Sequence, residues 1–509
     1  MKKLEEIMNN KKACRIFGIL MAAFVILCYV ILMSHNGYRY LNSDDSSELL
    51  LSRILASQHA LLTPDYYYST QLNVLNTQLV FAPLFLIFDS WSMVRIVGGV
   101  IILILYAASY IVIPYGWDHD PSWFYLTAFI LLMPFADPWM YFGMKMYYLP
   151  YVSISFLSFA LLGAVYSSSS KKKTVLWAVL SALLAFAAGL GGTRSLELTY
   201  APLLLTAFIM MFRKGEKKKA FIVSLISSLC AFGGYLINDG VLSKIYHFRS
   251  YGNVSFIAFS VKKMEWMIGS VLESFGYVIG EYFMSFGGVL NVLALLMCVG
   301  FFASFFVIYG RRRELTPIGE YMYWFAALTF IINTVVTTLG QNDEYASRYI
   351  AIGMVLCIFF PELLCSIRAK SGREKALFRA VLVICFLIIG AGGYLRLLHT
   401  SGNGNRLGYI KYLEENGYST GYATFWNANI TTEMTDGKLG VISLDPNKER
   451  PELYRWQTDR RLIEEAPERS YLVLSAAEEN MYQGSEPVYR DDSFLVFDIT
   501  PGEIYDPGE

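Results

Sequence analysis

A chain of 509 residues that is 55% hydrophobic and only 17% charged is too apolar for a soluble enzyme and reads as a polytopic membrane protein. Its formal net charge of zero hides an uneven distribution: from Leu397 onward ten Lys/Arg stand against twenty Asp/Glu, so the preceding part is as basic as this tail is acidic. The basic residues collect in a few short loops, which argues against nucleic-acid binding, and none of the seven cysteines lies in the tail, so no disulfide framework and no CxxC metal or redox pattern is present.

The first fifteen residues are basic and lead into a long apolar run without a small-residue cleavage site, which predicts an uncleaved first helix. Eleven apolar runs follow the pattern of membrane spans: 16–33, 94–114, 121–137, 149–166, 174–192, 197–212, 220–237, 286–309, 321–339, 349–367 and 379–396. With the N-terminus inside, these spans put the basic segments 2–15, 171–173, 213–219, 311–313 and 368–379 on the cytoplasmic side. The segments 34–93, 138–148, 193–196, 238–285, 340–348 and the tail then lie outside.

Segment 71–88 has an apolar core of about ten residues that carries Pro83, too short to span, so it is expected to lie along the membrane. A second such helix is expected over 46–60, with Ser46 and Ser47 at its start. In the tail, 471–474 and 494–497 read as strands and 406–417 as a short helix, separated by turns such as Asp436-Gly437 and Asp445-Pro446-Asn447. The fold class expected is therefore mainly α: a bundle of about eleven spans over 1–396, with outer loops 34–93 and 238–285. A small extracytoplasmic α/β or α+β domain over 397–509 completes it.

Three constellations at the outer side could carry chemistry. In Asp44-Asp45-Ser46-Ser47-Glu48, an aspartate is a candidate general base or a ligand for a metal, an acceptor amine or an acceptor hydroxyl. With a helix start near Ser46, Glu48 falls in the first turn, where the dipole favours a carboxylate; capping and solvation are the bland alternative. Gly189-Leu190-Gly191-Gly192-Thr193-Arg194 offers tight backbone approach and a planar guanidinium suited to phosphate, against snorkelling or pairing with Glu197. Arg348-Tyr349, at the entry to another span, would set a cation at headgroup level, against pairing with Glu344. Lys145, Lys244, His247 and Arg249 add positive charge where the orientation rule disfavours it, which an anionic lipid substrate would explain. Tyr66, Tyr67 and Tyr68 read as an interface belt or as rings for stacking on sugar faces.

These residues in this order resemble the GT-C superfamily of integral-membrane glycosyltransferases, which includes the protein O-mannosyltransferases and the aminoarabinose transferases. The resemblance covers the plan of residues 10–400: a first helix, a long outer loop opening on an acidic motif, further spans with a large loop after the seventh, and a closing soluble domain. It implies transfer of a sugar from a polyprenyl-phosphate donor to a glycan, lipid or protein acceptor at the outer face of a bacterial plasma membrane. It also implies that Asp44 or Asp45 is the essential carboxylate, while Arg348-Tyr349, and Arg194 by position, hold the lipid phosphate. Glu48, Tyr67 and Lys145 complete the expected substrate-binding set; the polyprenyl-phosphate sugar is donor substrate, and no cofactor or metal is assigned. Two features depart from the family pattern. Lys145-Met-Tyr-Tyr-Leu-Pro150 stands where many relatives carry a second aspartate, with Asp137 a rough stand-in, and no His-Pro-Pro motif is present. The tail phrase Gly421-Tyr-Ala-Thr-Phe-Trp-Asn-Ala-Asn429 reads as a packed core strand or a carbohydrate contact. A flippase for a lipid-linked glycan and a cell-envelope scaffold are the other readings. The former calls for charges within spans and for internal repeats, and the sequence offers few of the first and none of the second.

Overall fold

The computed structural model describes residues 9–70, 72, 74–134, 144–213, 218–248, 260–340, 347–369, 371–399, 402–465 and 467–508. Asp137, Arg249 and Glu344 lie outside the described residues. The chain forms two compact units. One comprises Met1–Tyr29, Leu103–Asn238 and Gly252–Leu398; the other comprises Val30–Ile102, Asp239–Tyr251 and His399–Glu509. A division at residue 397 would leave the first loop with the bundle, whereas the second unit joins that loop to the tail.

Among the described residues nine helices are long and apolar enough to cross a membrane, from Lys11–His35 to the helix that begins at Gly372. Two of the eleven expected spans are shorter apolar helices, Ser122–Leu132 and Leu196–Met211. The expected span 349–367 is broken into Ser347–Val355, a 3-10 turn Leu356–Phe359 and Phe360–Arg368. Pro361, without an N–H to donate, stands at the start of the last piece. Gln78–Phe85 is only eight residues long and contains Pro83, about 12 Å of helix, which cannot cross a bilayer.

Small residues set the helix spacing in the first unit. A Cβ at Gly189 would lie 2.0 Å from the carbonyl oxygen of Ala231, and one at Gly116 would lie 2.1 Å from that of Ala160. Lipid gives apolar helices little reason to prefer one another, so close backbone approach at glycine supplies the packing that holds them together. Gly189 is therefore a helix-contact residue.

The second unit is built on a five-stranded mixed sheet in the order β3-β2-β5-β7-β6. Its strands are β2 (Thr420–Thr424), β3 (Gly440–Leu444), β5 (Ser470–Ser475), β6 (Tyr489–Arg490) and β7 (Phe494–Ile499). β2 runs parallel to β3 and β5, and β7 antiparallel to β5 and β6. Alternating side chains serve two cores, as the pleat requires. Ala423, Val441, Tyr471, Val473 and Val496 pack on one face with the Leu407–Glu415 helix; Tyr422, Ile442, Leu472, Leu474 and Phe497 pack on the other. The first loop joins through a short ladder, β1 (Tyr66–Tyr67) antiparallel to β4 (Thr458–Asp459). The phrase 421–429 is half strand and half helix: β2 ends at Thr424 and the Phe425–Met434 helix follows at once.

Candidate functional site

The acidic cluster lies inside its helix. That helix runs Ser43–Gln58, three residues ahead of the expected start, because Asn42 is extended and its side chain accepts from the Asp45 backbone N–H. An asparagine cap followed by two carboxylates in the first turn satisfies both the orphan amide and the dipole, which Ser46 would not do as well. Asp44 and Asp45 therefore occupy the first turn, and Glu48 moves to the second. Asp45 is 2% exposed and Glu48 4%, while Asp44 is only part-buried. Asp44 is thus the aspartate of the pair that solvent reaches more readily.

The surroundings of this turn explain its burial. Arg95 donates from Nη2 to the Asp45 carbonyl at 3.1 Å and grips both Glu433 carboxylate oxygens, at 2.5 and 2.6 Å. Ser43 Oγ donates to the Phe425 carbonyl, and Glu48 Oε2 accepts from the Thr77 hydroxyl. Asn403 Nδ2 donates to the carbonyls of Tyr38 and Leu41, just ahead of the Asn42 cap. Arg406 in turn reaches Asn403 at 2.6 Å and Asn427 at 2.8 Å. The tail thus holds the start of the acidic helix from several sides. Through its bond with the Thr77 hydroxyl, Glu48 ties the acidic helix to the residue immediately ahead of the Gln78–Phe85 segment.

Arg95 and Glu433 were not legible as a pair, being 338 residues apart. The available signal was the charge itself, placed near the start of the apolar helix Trp91–Ile111, since a cation there demands a partner.

The arginine cluster belongs to the first unit. The Lys171–Gly189 helix ends in tight turns, with Gly191 N–H on the Ala188 carbonyl and Gly192 N–H on that of Gly189. Asn238 Nδ2 satisfies the Leu190 carbonyl at 2.7 Å, and Gly192 adopts φ 112°, which glycine tolerates. Arg194 follows, ahead of a π-helical turn at Leu196–Tyr200. Its guanidinium sits 5.3, 5.2 and 5.3 Å from the ring centroids of Tyr148, Tyr151 and Tyr349. Cation–π attraction of about 0.5–2 kcal/mol per favourable ring offsets part of the desolvation of that charge. Nη1 is buried with no hydrogen-bond partner among the described residues.

Arg348 approaches the same Tyr349 ring at 5.0 Å and donates to its hydroxyl at 3.2 Å. The expected residues Arg194, Arg348 and Tyr349 are therefore brought together, with Tyr148 and Tyr151 added. Lys145 lies three residues before Tyr148 on the segment that delivers that ring. Glu197, close enough to Arg194 for their charges to interact, accepts from Asn333 Nδ2 at 2.9 Å while Asn333 Oδ1 takes the Gly353 N–H. Tyr67 is 6% exposed, on β1, and its ring lies 5.2 Å from that of His247. Among the described residues no group of three His, Cys, Asp or Glu is arranged to hold a metal ion.

No protein-family model matches the chain, and no curated protein matches its sequence. Solved structures do. ArnT from Cupriavidus metallidurans bound to undecaprenyl phosphate superposes with a TM-score of 0.57 at 12% identity, over 94% of this chain and 97% of that one. The apo state of ArnT gives 0.57 at 10% identity, over 96% and 98%. The Archaeoglobus fulgidus oligosaccharyltransferase tethered to an acceptor peptide gives 0.47 at 12% identity, over 90% and 69%. Over nearly its whole length the chain has the fold seen in the two ArnT structures.

Proposed function

We propose that the protein is a glycosyltransferase that moves a sugar from a polyprenyl-phosphate donor to an acceptor at the outer face of the plasma membrane. The observation that carries this reading is the Arg194 site: a guanidinium caged by three tyrosine rings, with a buried N–H that meets no acceptor oxygen among the described residues. A phosphate supplies such an oxygen, and a planar guanidinium holds it in fixed geometry. Arg348 brings a second cation to the same ring, and two cations suit the charge that grows on a departing lipid phosphate. The similar fold of ArnT, seen with undecaprenyl phosphate, agrees with this chemistry.

Asp44 is the base toward the acceptor hydroxyl in this reading, and Asp45 is held back by burial. The basic loops orient the N-terminus toward the cytoplasm and the tail toward the outside.

The test uses purified full-length protein in lipid nanodiscs with radiolabelled polyprenyl-phosphate sugars and an envelope-lipid acceptor extract. Transfer of label by the wild type, reduced about 10²–10⁴-fold by the double change Asp44→Asn/Asp45→Asn, is the expected result. Unchanged transfer in that double variant sinks the mechanism, and no transfer from any polyprenyl-phosphate sugar sinks the reading itself.

A further inference from the structure

The second unit contains a cavity of about 300 Å³ that the reading above leaves without a role. Three separate stretches of chain build it: the first loop through Tyr67, the Asp239–Tyr251 piece through Tyr246, His247 and Phe248, and the tail through Leu453 and Arg455. The convergence is fixed by backbone. Tyr68 N–H donates to the His247 carbonyl at 2.8 Å, and β1 pairs with β4 on its other edge.

The chemistry of the walls narrows the ligand. The Tyr67 and His247 rings meet at 5.2 Å and an angle of 56°, so they form a bent aromatic surface, and the Arg455 guanidinium lies 6.0 Å from the Tyr67 ring. Arg455 is already paired with Asp506 at 2.7 Å and also donates to the Gly508 carbonyl. Arg460 is paired with Glu464 and donates to His247 Nε2, which leaves Nδ1 as the donor of that ring. Both cations are therefore neutralised, and an anionic ligand would have to displace a carboxylate. Flat apolar faces edged by a planar cation–carboxylate pair suit a molecule with C–H faces and hydroxyl edges. The volume is at the small end of ligand sites, enough for one ring.

We propose that this cavity is a binding subsite for one uncharged pyranose ring of a glycan. Its position relative to the acidic helix is informative. Neighbouring residues of a strand point to opposite sides: Tyr66 turns toward that helix and donates to the Ser47 carbonyl at 3.2 Å, whereas Tyr67 lines the cavity. The subsite is thus one strand away from the helix that carries Asp44. Its role as an acceptor subsite rests on the transferase reading; its capacity to bind a sugar does not.

The experiment measures saturation-transfer NMR and tyrosine fluorescence of the purified full chain titrated with methyl β-glucopyranoside, methyl α-mannopyranoside and N-acetylglucosamine, with glucuronate and glucose 6-phosphate as charged comparisons. Saturable binding of at least one uncharged sugar is expected, weakened about tenfold in Tyr67→Ala and unchanged in Lys411→Ala, on the exposed face of the Leu407–Glu415 helix. Tyr246→Ala, at a more exposed wall position, gives the same loss if Tyr67→Ala fails to fold. No saturable binding of any of the three, tighter binding of the charged pair, or wild-type binding in both tyrosine variants overturns the proposal. Binding without polyprenyl-dependent transfer supports the subsite and refutes only the transferase reading, and transfer without binding does the reverse.

Discussion

Arg194 and Arg348 reach the same tyrosine: their guanidinium carbons lie 5.3 and 5.0 Å from the centroid of the Tyr349 ring, although the two arginines are on different helical segments. Two like charges gathered on one ring repel, and in the reading proposed above a lipid phosphate offsets that repulsion.

If a lipid phosphate is that anion, Arg194→Gln and Arg348→Gln should each weaken undecaprenyl phosphate binding by about 10–100-fold, the loss of one charge-assisted hydrogen bond. Tyr349→Phe keeps the ring and should cost less than either. Equilibrium binding of radiolabelled undecaprenyl phosphate in nanodiscs reads all three. Unchanged binding in both arginine variants would remove the phosphate from this site.

Asp44 and Asp45 should separate by readout. Asp44→Asn is expected to cut transfer about 10²–10⁴-fold with little change in melting temperature. Asp45→Asn, at a side chain 2% exposed, should lower the melting temperature and keep most of the transfer rate. The reverse pattern would exchange their roles.

The Arg95–Glu433 pair predicts a stability effect with a recovery. Glu433→Leu alone leaves a buried guanidinium uncompensated and should cost about 3–5 kcal/mol. Adding Arg95→Met should restore much of that loss, because two apolar side chains fill the space without stranded charge. Denaturation of the single and double variants in one detergent decides it; additive losses would show that the pair is not energetically linked.

Gly189→Val tests the helix contact. The added side chain meets the Ala231 backbone, which cannot move as a flexible side chain would, so a loss of about 1–3 kcal/mol or more is expected. The same change at Gly233, which has open space around it, should be tolerated better in a melting assay.

A pH effect is expected at the β6–β7 turn. Burial pushes the Asp491 carboxyl up, but bonds from the Tyr489 hydroxyl and the Ser493 and Phe494 amides outweigh it and hold the group below its ordinary value. A depressed carboxyl stabilises the folded form above its unfolded value of 3.8 and loses that contribution as pH falls through the lower folded value. Asp491→Asn should flatten this part of the acid denaturation curve, followed by circular dichroism.

Much of the architecture was legible because its signals are local. Apolar length marked the spans, Pro83 and a short apolar core marked a segment unable to cross, and short apolar runs between turn signals marked the strands around Tyr471 and Phe494. The start of the acidic helix was misread because Ser46 and Ser47 are ordinary caps, while Asn42 wins through a hydrogen bond to Asp45 that only the backbone geometry reveals. Arg194, Arg348 and Tyr349 were each visible as charges and rings at span ends.

The sequence alone therefore determined that the chain crosses membranes repeatedly, where its charges are concentrated and which residue types could meet a phosphate. Tertiary structure alone decided that two arginines share one ring, that Arg95 closes on Glu433, and that Tyr67 lines a cavity while Tyr66 turns to the acidic helix. The physical reason is range: hydropathy and capping act over a few neighbouring residues, whereas a caged guanidinium or a buried ion pair is made by segments dozens to hundreds of residues apart that only folding brings together.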